Sequence, residues 1–175
     1  FNWEMVGVDI NQESIAAAKQ IVAATKGLHK KIEIRYQNDN ANIFNNAIKE
    51  GEYFDVTICN PPFHTSEIEA NKGTMRKLAN ISVDKGYAFR QELTQNFGGK
   101  ANELWCNGGE ALFVKRMIKQ SIVHKEHVGI FTTLISNKAH LNKLYKQLDK
   151  AKATHKTIVM EIGNKHSRML AWSFN

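Results

Sequence analysis

The chain has few of the residues that build disulfide frameworks and no long apolar run. It contains two cysteines and two prolines among 175 residues. Cys59 and Cys106 form no C-x-x-C pair, and Cys59 lies inside a short apolar run, so we expect intracellular free thiols rather than a disulfide. No apolar stretch approaches the roughly 20 residues of a membrane span, and no signal peptide opens the chain. We therefore predict a cytoplasmic protein without a membrane anchor.

Metal-binding patterns are also scarce. The seven histidines are scattered along the chain, and His124 and His127 form no complete ligand set with the two cysteines. We therefore predict a protein without a metal site.

Acidic residues are the minority among the charged residues. The chain has 24 Lys and Arg against 17 Asp and Glu, a formal net charge of +7 and a sequence pI of about 9.4. This balance suits a polyanionic partner and modestly favours nucleic acid. The length is most simply that of one domain with a substantial core.

Strand and helix signals alternate along the chain. The predicted strands are residues 5–10, 32–37, 54–59, 128–134, 157–162 and 169–174. The predicted helices are residues 12–26 after an Asn11 cap, 43–49, a helix that opens at residues 108–110 and continues through Ile122, and 140–150. This rhythm predicts an α/β fold with a mostly parallel sheet, in which 54–59 is a buried strand and the last two strands form an antiparallel hairpin at one edge.

The predicted helices carry apolar residues on one face. Ile15, Ala18, Val22 and Ala23 recur at helical spacing in the first helix. Val114, Ile118 and Ile122 share a face of the helix that follows the glycine pair.

Both prolines stand in the tetrapeptide Asn60-Pro61-Pro62-Phe63, directly after the 54–59 run. An exocyclic amine such as adenine N6 is a poor nucleophile because its lone pair is delocalised into the ring. The Asn60 side-chain oxygen and the Pro61 main-chain oxygen could each accept one N–H and favour a pyramidal nitrogen in the transition state. Phe63 would stack on the base, while successive prolines hold both acceptors in place. A plain Pro-Pro turn is the alternative.

Polar residues also follow the first two strands, and ligands of such sheets bind at the carboxyl ends of strands. Asp9 ends the first strand and could accept hydrogen bonds from both ribose hydroxyls of a nucleoside cofactor, or could simply favour the helix dipole. Ile10 could form a wall against an adenine ring, and Gln37 and Asn38 could contact its edge. Core packing and a turn explain these three residues equally well. Asp9 and Asn60 are predicted on the same edge of one sheet.

Residues 64–107 break the strand and helix rhythm. A long irregular segment inside a domain is usually functional or disordered. Its cations could neutralise phosphates while its aromatic residues stack on splayed bases, as in the recognition of unpaired RNA. The candidate RNA-binding residues are Lys72, Arg76, Lys77, Phe97 and Lys100. For His64, the first residue of the segment, a solvent-facing position or a base contact is favoured over a role as catalytic base. For Glu110, the favourable charge of an acid at a helix start is favoured over a catalytic role.

Three strings in the sequence resemble a known family. FDVTICNPPFH, NFGGKANELWCNGGEALFVKRMI and SRMLAWSF are similar to the bacterial 23S ribosomal RNA adenine-N6 methyltransferases called large-subunit methyltransferase F. They resemble more distantly the eukaryotic methyltransferase-like sixteen RNA adenine methyltransferases. The resemblance implies a class I methyltransferase fold, S-adenosylmethionine as the methyl donor, and 23S ribosomal RNA or a large-subunit assembly intermediate as the partner. It also implies a ribose-binding Asp9 and a catalytic motif at residues 60–63.

The sequence departs from that family in one respect. A first strand and a glycine-rich turn, which cradle the cofactor, precede the acidic strand in the family but have no counterpart here. We therefore expect residues 1–175 to be the carboxyl-terminal portion of one methyltransferase domain, with 64–107 as a substrate-recognition insertion. The gap would leave two central strand edges unpaired, so we expect the isolated segment to close directly, to associate with another chain, or to be poorly stable. We also expect it to bind the cofactor weakly and to have little or no activity alone.

Other functions remain open at this point. A guanine-N2 or glutamine-N5 methyltransferase would use similar acceptors at the same strand end. A noncatalytic RNA-binding module fits the missing glycine-rich turn. A structural protein with an accidental motif is the third alternative, and it leaves the position of Asp9 unexplained. The sequence indicates neither the target nucleotide nor the oligomeric state.

Overall fold

The computed structural model describes residues 2–62, 64, 106–162 and 165–174. These residues fall into two compact units, one comprising residues 1–52 and the other residues 53–175. The strands form two sheets, one of two strands and one of four strands. None of the helices among the described residues is long and apolar enough to cross a membrane.

The first unit contains a parallel βαβ arrangement. Strand β1 (Met5–Asp9) leads into helix α1 (Gln12–Ala24), and strand β2 (Ile32–Tyr36) pairs with β1 in parallel. The Asn11 side chain accepts a hydrogen bond from Ser14 N at 2.9 Å, which satisfies a donor that the helix itself cannot pair. The predicted cap, both strands and the parallel crossover are therefore confirmed.

Helix α1 buries only part of its apolar face. Ile15 is buried, whereas Ala18 and Val22 are half-buried and Ala23 is exposed. An alanine fits the helical periodicity whether or not it is buried, because burial of its small side chain contributes little free energy.

The predicted helix at residues 43–49 is wrong. This stretch consists of turns, and Asn46 has a positive φ of 64°. The Gln37 side chain donates to Asn45 O at 2.7 Å, and the Arg35 guanidinium donates to Ala47 O. Side chains of the preceding segment thus donate hydrogen bonds to backbone carbonyls in this stretch. The left-handed backbone conformation of Asn46 also interrupts a helix there.

Arg35 also holds the first unit together through charge. Its guanidinium donates to Glu33 and to Glu52, and Lys49 pairs with Glu33 at 2.7 Å. The Arg35 side chain is only 8% exposed, while both carboxylates reach solvent. Hydrogen bonds from Arg35 lower the pKa of each of these two carboxyl groups to about 2.

The described residues of the second unit include a four-stranded sheet and two α-helices. Its strands are β3 (Phe54–Thr57), β4 (Val128–Ile135), β5 (Thr154–Ile162) and β6 (Lys165–Ser173). Its helices are α2 (Gly109–Val123) and α3 (Leu141–Lys150). The strand order is β3-β4-β6-β5, with β3 parallel to β4 and β6 antiparallel to both β4 and β5. The parallel crossover and the edge hairpin are confirmed, although β5 and β6 begin three and four residues earlier than predicted.

The core of the second unit lies on one face of this sheet. Phe131 and Trp172 are buried and stack with ring centroids 5.6 Å apart, and Trp172 Nε1 donates to Ser121 Oγ at 2.9 Å. Val114 and Ile118 on the apolar face of α2 are fully buried, whereas Ile122 in its last turn is 43% exposed.

The opposite face of the sheet is exposed around Val56 and Ile130. Val56 and its register partner Ile130 are 49% and 47% exposed, and Ile58 is 77% exposed. The parallel pairing of β3 is as predicted, but the prediction that β3 is buried is wrong. An apolar run shows that a strand can be buried, whereas its burial also requires other elements that cover it.

Candidate active site at the carboxyl end of β3

The tetrapeptide motif begins three residues after the end of β3. Asn60 is exposed, while Pro61 and Pro62 are buried. Within the described residues, neither the Asn60 side chain nor the Pro61 carbonyl accepts a hydrogen bond. The two predicted acceptors are therefore not engaged by any described part of the protein, and buried prolines with fixed φ hold the backbone between them.

Strand β4 fixes the segment that leads into the motif. Leu134 N donates to Cys59 O at 2.9 Å, immediately before Asn60. Two residues earlier, Thr132 Oγ1 donates to Thr57 O at 2.6 Å. These bonds continue the contact between β3 and β4 to Cys59, the residue before the motif, so the backbone that leads into Asn60 is held by β4.

Both cysteines are free thiols, Cys59 just before the motif and Cys106 just before α2. Burial raises the pKa of the Cys59 thiol to about 11 and also raises the pKa of Cys106. Both thiols are therefore protonated near neutral pH and are poor nucleophiles. The absence of a disulfide between them is as predicted.

His64 is half-buried and connects the two sides of the long segment. Its carbonyl accepts a hydrogen bond from Cys106 N at 3.1 Å. This bond joins the residue after the motif to the turn that opens α2. A backbone hydrogen bond therefore joins the two ends of the segment that is predicted to contact the substrate.

The start of α2 turns sharply through two glycines. Gly108 and Gly109 have φ values of 80° and 58°, a region that side-chain-bearing residues avoid. A Cβ on Gly108 would lie 2.7 Å from Leu112 Cβ. The glycine pair therefore permits the turn that directs the next residue, Glu110, into the interior.

Glu110 has a role that sequence reasoning missed. The residue is 1% exposed, and its Oε1 accepts from Ser136 N at 2.6 Å. Its Oε2 accepts from Ser136 Oγ at 2.7 Å and from Asn137 N at 3.2 Å. The carboxylate therefore clamps the turn after β4. Sequence reasoning favoured a helix-start acid because the partners lie 26 and 27 residues further along the chain.

His140 lies beside the same carboxylate. Its Nδ1 is 3.3 Å from Glu110 Oε2 but has no hydrogen bond with suitable geometry to a described residue. Its Nε2 is 3.4 Å from Asn137 Nδ2. The turn after β4, Glu110 and His140 thus form one polar cluster next to the β3 carboxyl end.

Asp9 lies at the carboxyl end of β1 in the first unit. It is half-buried, and its Oδ1 accepts from Asn11 N at 2.7 Å. Its Oδ2 accepts no hydrogen bond from the described residues and can bind a hydroxyl group. The predicted common edge of Asp9 with Asn60, which belongs to the second unit, stays a prediction.

The other predicted cofactor residues differ in their surroundings. Gln37 is 3% exposed, its Nε2 donates to Asn45 O, and its Oε1 accepts from Asp39 N at 3.3 Å. Its amide thus stabilises the turns that follow β2. Asn38 is exposed and Ile10 half-buried. Their contacts with a cofactor stay predictions.

Several predicted site residues lie outside the described part of the chain. These are Phe63, Lys72, Arg76, Lys77, Phe97 and Lys100. Their roles in base stacking and RNA binding stay predictions.

Comparison with curated proteins finds relatives along the whole chain. Ribosomal RNA large subunit methyltransferase F of Christiangramia forsetii is 53% identical over 100% of this chain and 59% of its own length. The protein of the same name from Bacteroides thetaiotaomicron is 47% identical over 99% of this chain and 56% of its own length. The chain therefore spans little more than half of these relatives.

Comparison with solved structures identifies the fold. The human METTL16 catalytic domain in complex with a MAT2A 3′UTR hairpin matches 99% of this chain and 56% of that domain, with a TM-score of 0.74 and 22% identity. The N-terminal domain of human METTL16 in complex with SAH matches with a TM-score of 0.67 and 21% identity. These matches confirm the predicted α/β methyltransferase fold. A family model described as RNA methyltransferase matches residues 1–175, and the chain belongs to that family.

Proposed function

We propose that the protein containing this chain transfers a methyl group from S-adenosylmethionine to N6 of an adenosine in 23S ribosomal RNA. The relatives named ribosomal RNA large subunit methyltransferase F support a large-subunit RNA substrate, either naked or within an assembly intermediate. The METTL16 domain bound to an RNA hairpin supports RNA recognition by this fold. A cytoplasmic location agrees with that substrate.

The observation that carries the proposal is the pair of oxygen acceptors at the end of β3. Asn60 offers an exposed side-chain oxygen, and Pro61 offers a carbonyl whose backbone is fixed between buried prolines. An amino nitrogen that donates both N–H groups to such acceptors is drawn toward a pyramidal geometry. Its lone pair is then directed away from the ring and toward an electrophilic carbon.

Asp9 fits the ribose part of the methyl donor. Its carboxylate is half-buried at a strand end, and its Oδ2 is not engaged by a described residue. A carboxylate in that position suits a ribose diol, which offers two hydroxyl donors. The donor, when bound, supplies an electrophilic methyl group on a sulfonium ion.

The reaction needs positioning more than a strong base. The amine attacks the methyl carbon in line with the bond that breaks, so catalysis depends on holding the two groups in register. The amine loses its proton after the new C–N bond forms, when the nitrogen is cationic and acidic. Water can accept that proton, and neither His64 nor either cysteine is required as a base.

Substitution of Asn60 in the full-length enzyme tests the acceptor role. We expect Asn60→Ala to lower kcat by about 100- to 1,000-fold, by analogy with the removal of one oxyanion-hole contact. The affinity for the methyl donor should stay within a few-fold of wild type. Asn40→Ala, at an exposed asparagine in the first unit, is the matched control. Turnover of Asn60→Ala within a few-fold of the control would exclude the acceptor role.

The identity of the product tests the substrate. We expect mass spectrometry of 23S ribosomal RNA from cells that lack the full-length gene to show the loss of one N6-methyladenosine. Purified full-length enzyme should restore that modification with labelled donor. Labelled N2-methylguanosine or a labelled glutamine side chain would show that adenine is not the acceptor. RNA binding without any labelled product would indicate a noncatalytic RNA-binding module.

A further inference from the structure

A shallow recess lies at the start of α3, near the turn that Glu110 clamps. Its volume is about 380 Å³, within the range of small-ligand pockets. The recess is lined by Lys138, Ala139, Leu141, Asn142 and Tyr145. A cation, an amide and an aromatic ring therefore meet in one concave surface.

The aromatic wall of this recess is held rigidly. The Tyr145 ring stacks on His155 with centroids 4.9 Å apart and an interplanar angle of 14°. Its hydroxyl lies 2.6 Å from Thr157 Oγ1. His155 Nε2 is in turn 3.0 Å from Asp149 Oδ1. These contacts fix the ring before any ligand arrives, which lowers the entropic cost of stacking a base against it.

Lysines surround the recess and continue along α3. Residues 138–156 contain six lysines and one acidic residue, Asp149. All six lysines are exposed, and none forms a salt bridge with a described residue. They are Lys138, Lys143, Lys146, Lys150, Lys152 and Lys156.

Three of these lysines form a row on α3. Lys143, Lys146 and Lys150 recur at i, i+3 and i+7, so they share one face of the helix. Leu144 and Leu148 of the same helix are buried, which leaves the lysine face outward. Over ten residues the helix extends about 15 Å, so the row presents positive charge along a line rather than at one point.

We propose that this recess binds an unpaired nucleotide of the substrate RNA and that the lysine row binds the adjoining phosphates. The inference rests on the proposed function and names a second contact surface for the same substrate. The aromatic wall suits a base, the amide of Asn142 can donate to and accept from a base edge, and the lysines suit phosphates.

The position of the recess in the fold supports this partner. Lys138 follows Asn137, whose backbone Glu110 holds at the carboxyl end of β4. β4 pairs with β3, whose end carries Asn60. Helix α3 then runs from that edge, so an RNA strand with its target adenine at Asn60 can continue along the helix.

Salt-dependent RNA binding by the full-length protein tests the lysine row. The probe is a fluorescein-labelled single-stranded RNA oligonucleotide, titrated at several salt concentrations. We expect the triple variant Lys143→Gln, Lys146→Gln, Lys150→Gln to raise Kd roughly tenfold or more at low salt. The slope of log K against log salt should fall in magnitude by about 2, or about 0.7 for each lost phosphate contact.

The matched control removes the same charge from the first unit. Lys19, Lys26 and Lys30 are also exposed, and their triple substitution by Gln leaves the same net charge. We expect this control to change the slope by much less than the α3 variant. Equal slopes for the two triple variants would overturn the lysine-row proposal.

Asn142→Ala tests the recess separately, because Asn142 is exposed and its substitution should change stability by less than about 0.5 kcal/mol. We expect Kd to rise about three- to tenfold with an unchanged salt slope, since a base contact carries no charge. The recess proposal would be overturned if Asn142→Ala bound the RNA with the wild-type Kd. It would also be overturned if the wild-type protein bound duplex RNA as tightly as single-stranded RNA. Methylation of 23S ribosomal RNA by the wild-type enzyme is measured in parallel, and its absence would count against the proposed function instead.

Discussion

Glu110 is expected to stabilise the second unit by clamping the turn after β4. The informative perturbation is a pair of substitutions, Glu110→Ala and Glu110→Gln. The first removes every acceptor and leaves a cavity at a side chain that is 1% exposed. The second keeps the shape of the side chain and one acceptor oxygen, but replaces the other with a donor.

The magnitudes follow from the three hydrogen bonds. Each bond to a charged acceptor contributes about 1.5–3 kcal/mol, and water can replace part of this because Ser136 and Asn137 are exposed residues. We therefore expect Glu110→Ala to lower the free energy of unfolding by about 3 kcal/mol. Glu110→Gln still accepts from Ser136 N, and the Ser136 hydroxyl can rotate to accept from the new amide. Only the Asn137 N bond is lost outright, so the expected loss is about 1–2 kcal/mol.

Urea unfolding of the full-length protein, followed by tryptophan fluorescence, measures these losses. Trp172 is 2% exposed in the same unit and reports its unfolding. Glu126→Gln is the matched control, because that side chain is 82% exposed and should change stability by less than about 0.5 kcal/mol. If Glu110→Ala proved as stable as the control, or if Gln cost as much as Ala, the clamp would be refuted.

Three further predictions concern charge, thiol reactivity and cofactor binding. Because Arg35 lowers the folded pKa of Glu33 and Glu52 from 4.5 to about 2, its stabilising effect should be complete above pH 4.5 and lost as the pH falls toward 2. NMR titration should show both values returning toward 4.5 in Arg35→Gln, and unchanged values would contradict this. Cys59 should react slowly with iodoacetamide at pH 8 until urea unfolds the protein, because burial raises its pKa to about 11; fast reaction in the folded state would disprove that burial. Calorimetric titration of residues 1–175 should show weak S-adenosylmethionine binding, and micromolar affinity would contradict the expected need for a preceding glycine-rich turn.

The sequence predicted those elements whose signals are local. Asn11 marked the start of α1 because a cap acts on a backbone donor three residues away. The strand bounds of β1 and β2 and their parallel pairing followed from apolar runs separated by one helix. In such cases propensity, capping and periodicity agree, and tertiary contacts do not alter the outcome.

The failures arose where distant side chains compete for the backbone. Residues 43–49 have helical spacing, yet Arg35 and Gln37 bind carbonyls within that stretch. The role of Glu110 depends on Ser136, 26 residues further on, and a single sequence gives no sign of that contact. Periodicity cannot detect hydrogen bonds whose partners are set by tertiary structure.

The motif itself shows why its placement depends on residues that do not touch the substrate. Two prolines fix the backbone dihedrals of the acceptor pair, but they provide no N–H with which to attach that pair to the sheet. Among the described residues, the segment before the motif is attached to the sheet by the bond from Leu134 N to Cys59 O, and Glu110 holds the turn that follows Leu134 along the chain. Because acceptor geometry matters at the scale of a few tenths of an ångström, a change at Glu110 should lower kcat more than it weakens RNA binding. A variant that lost RNA affinity and kept its turnover would place Glu110 in the RNA interface rather than behind the acceptors.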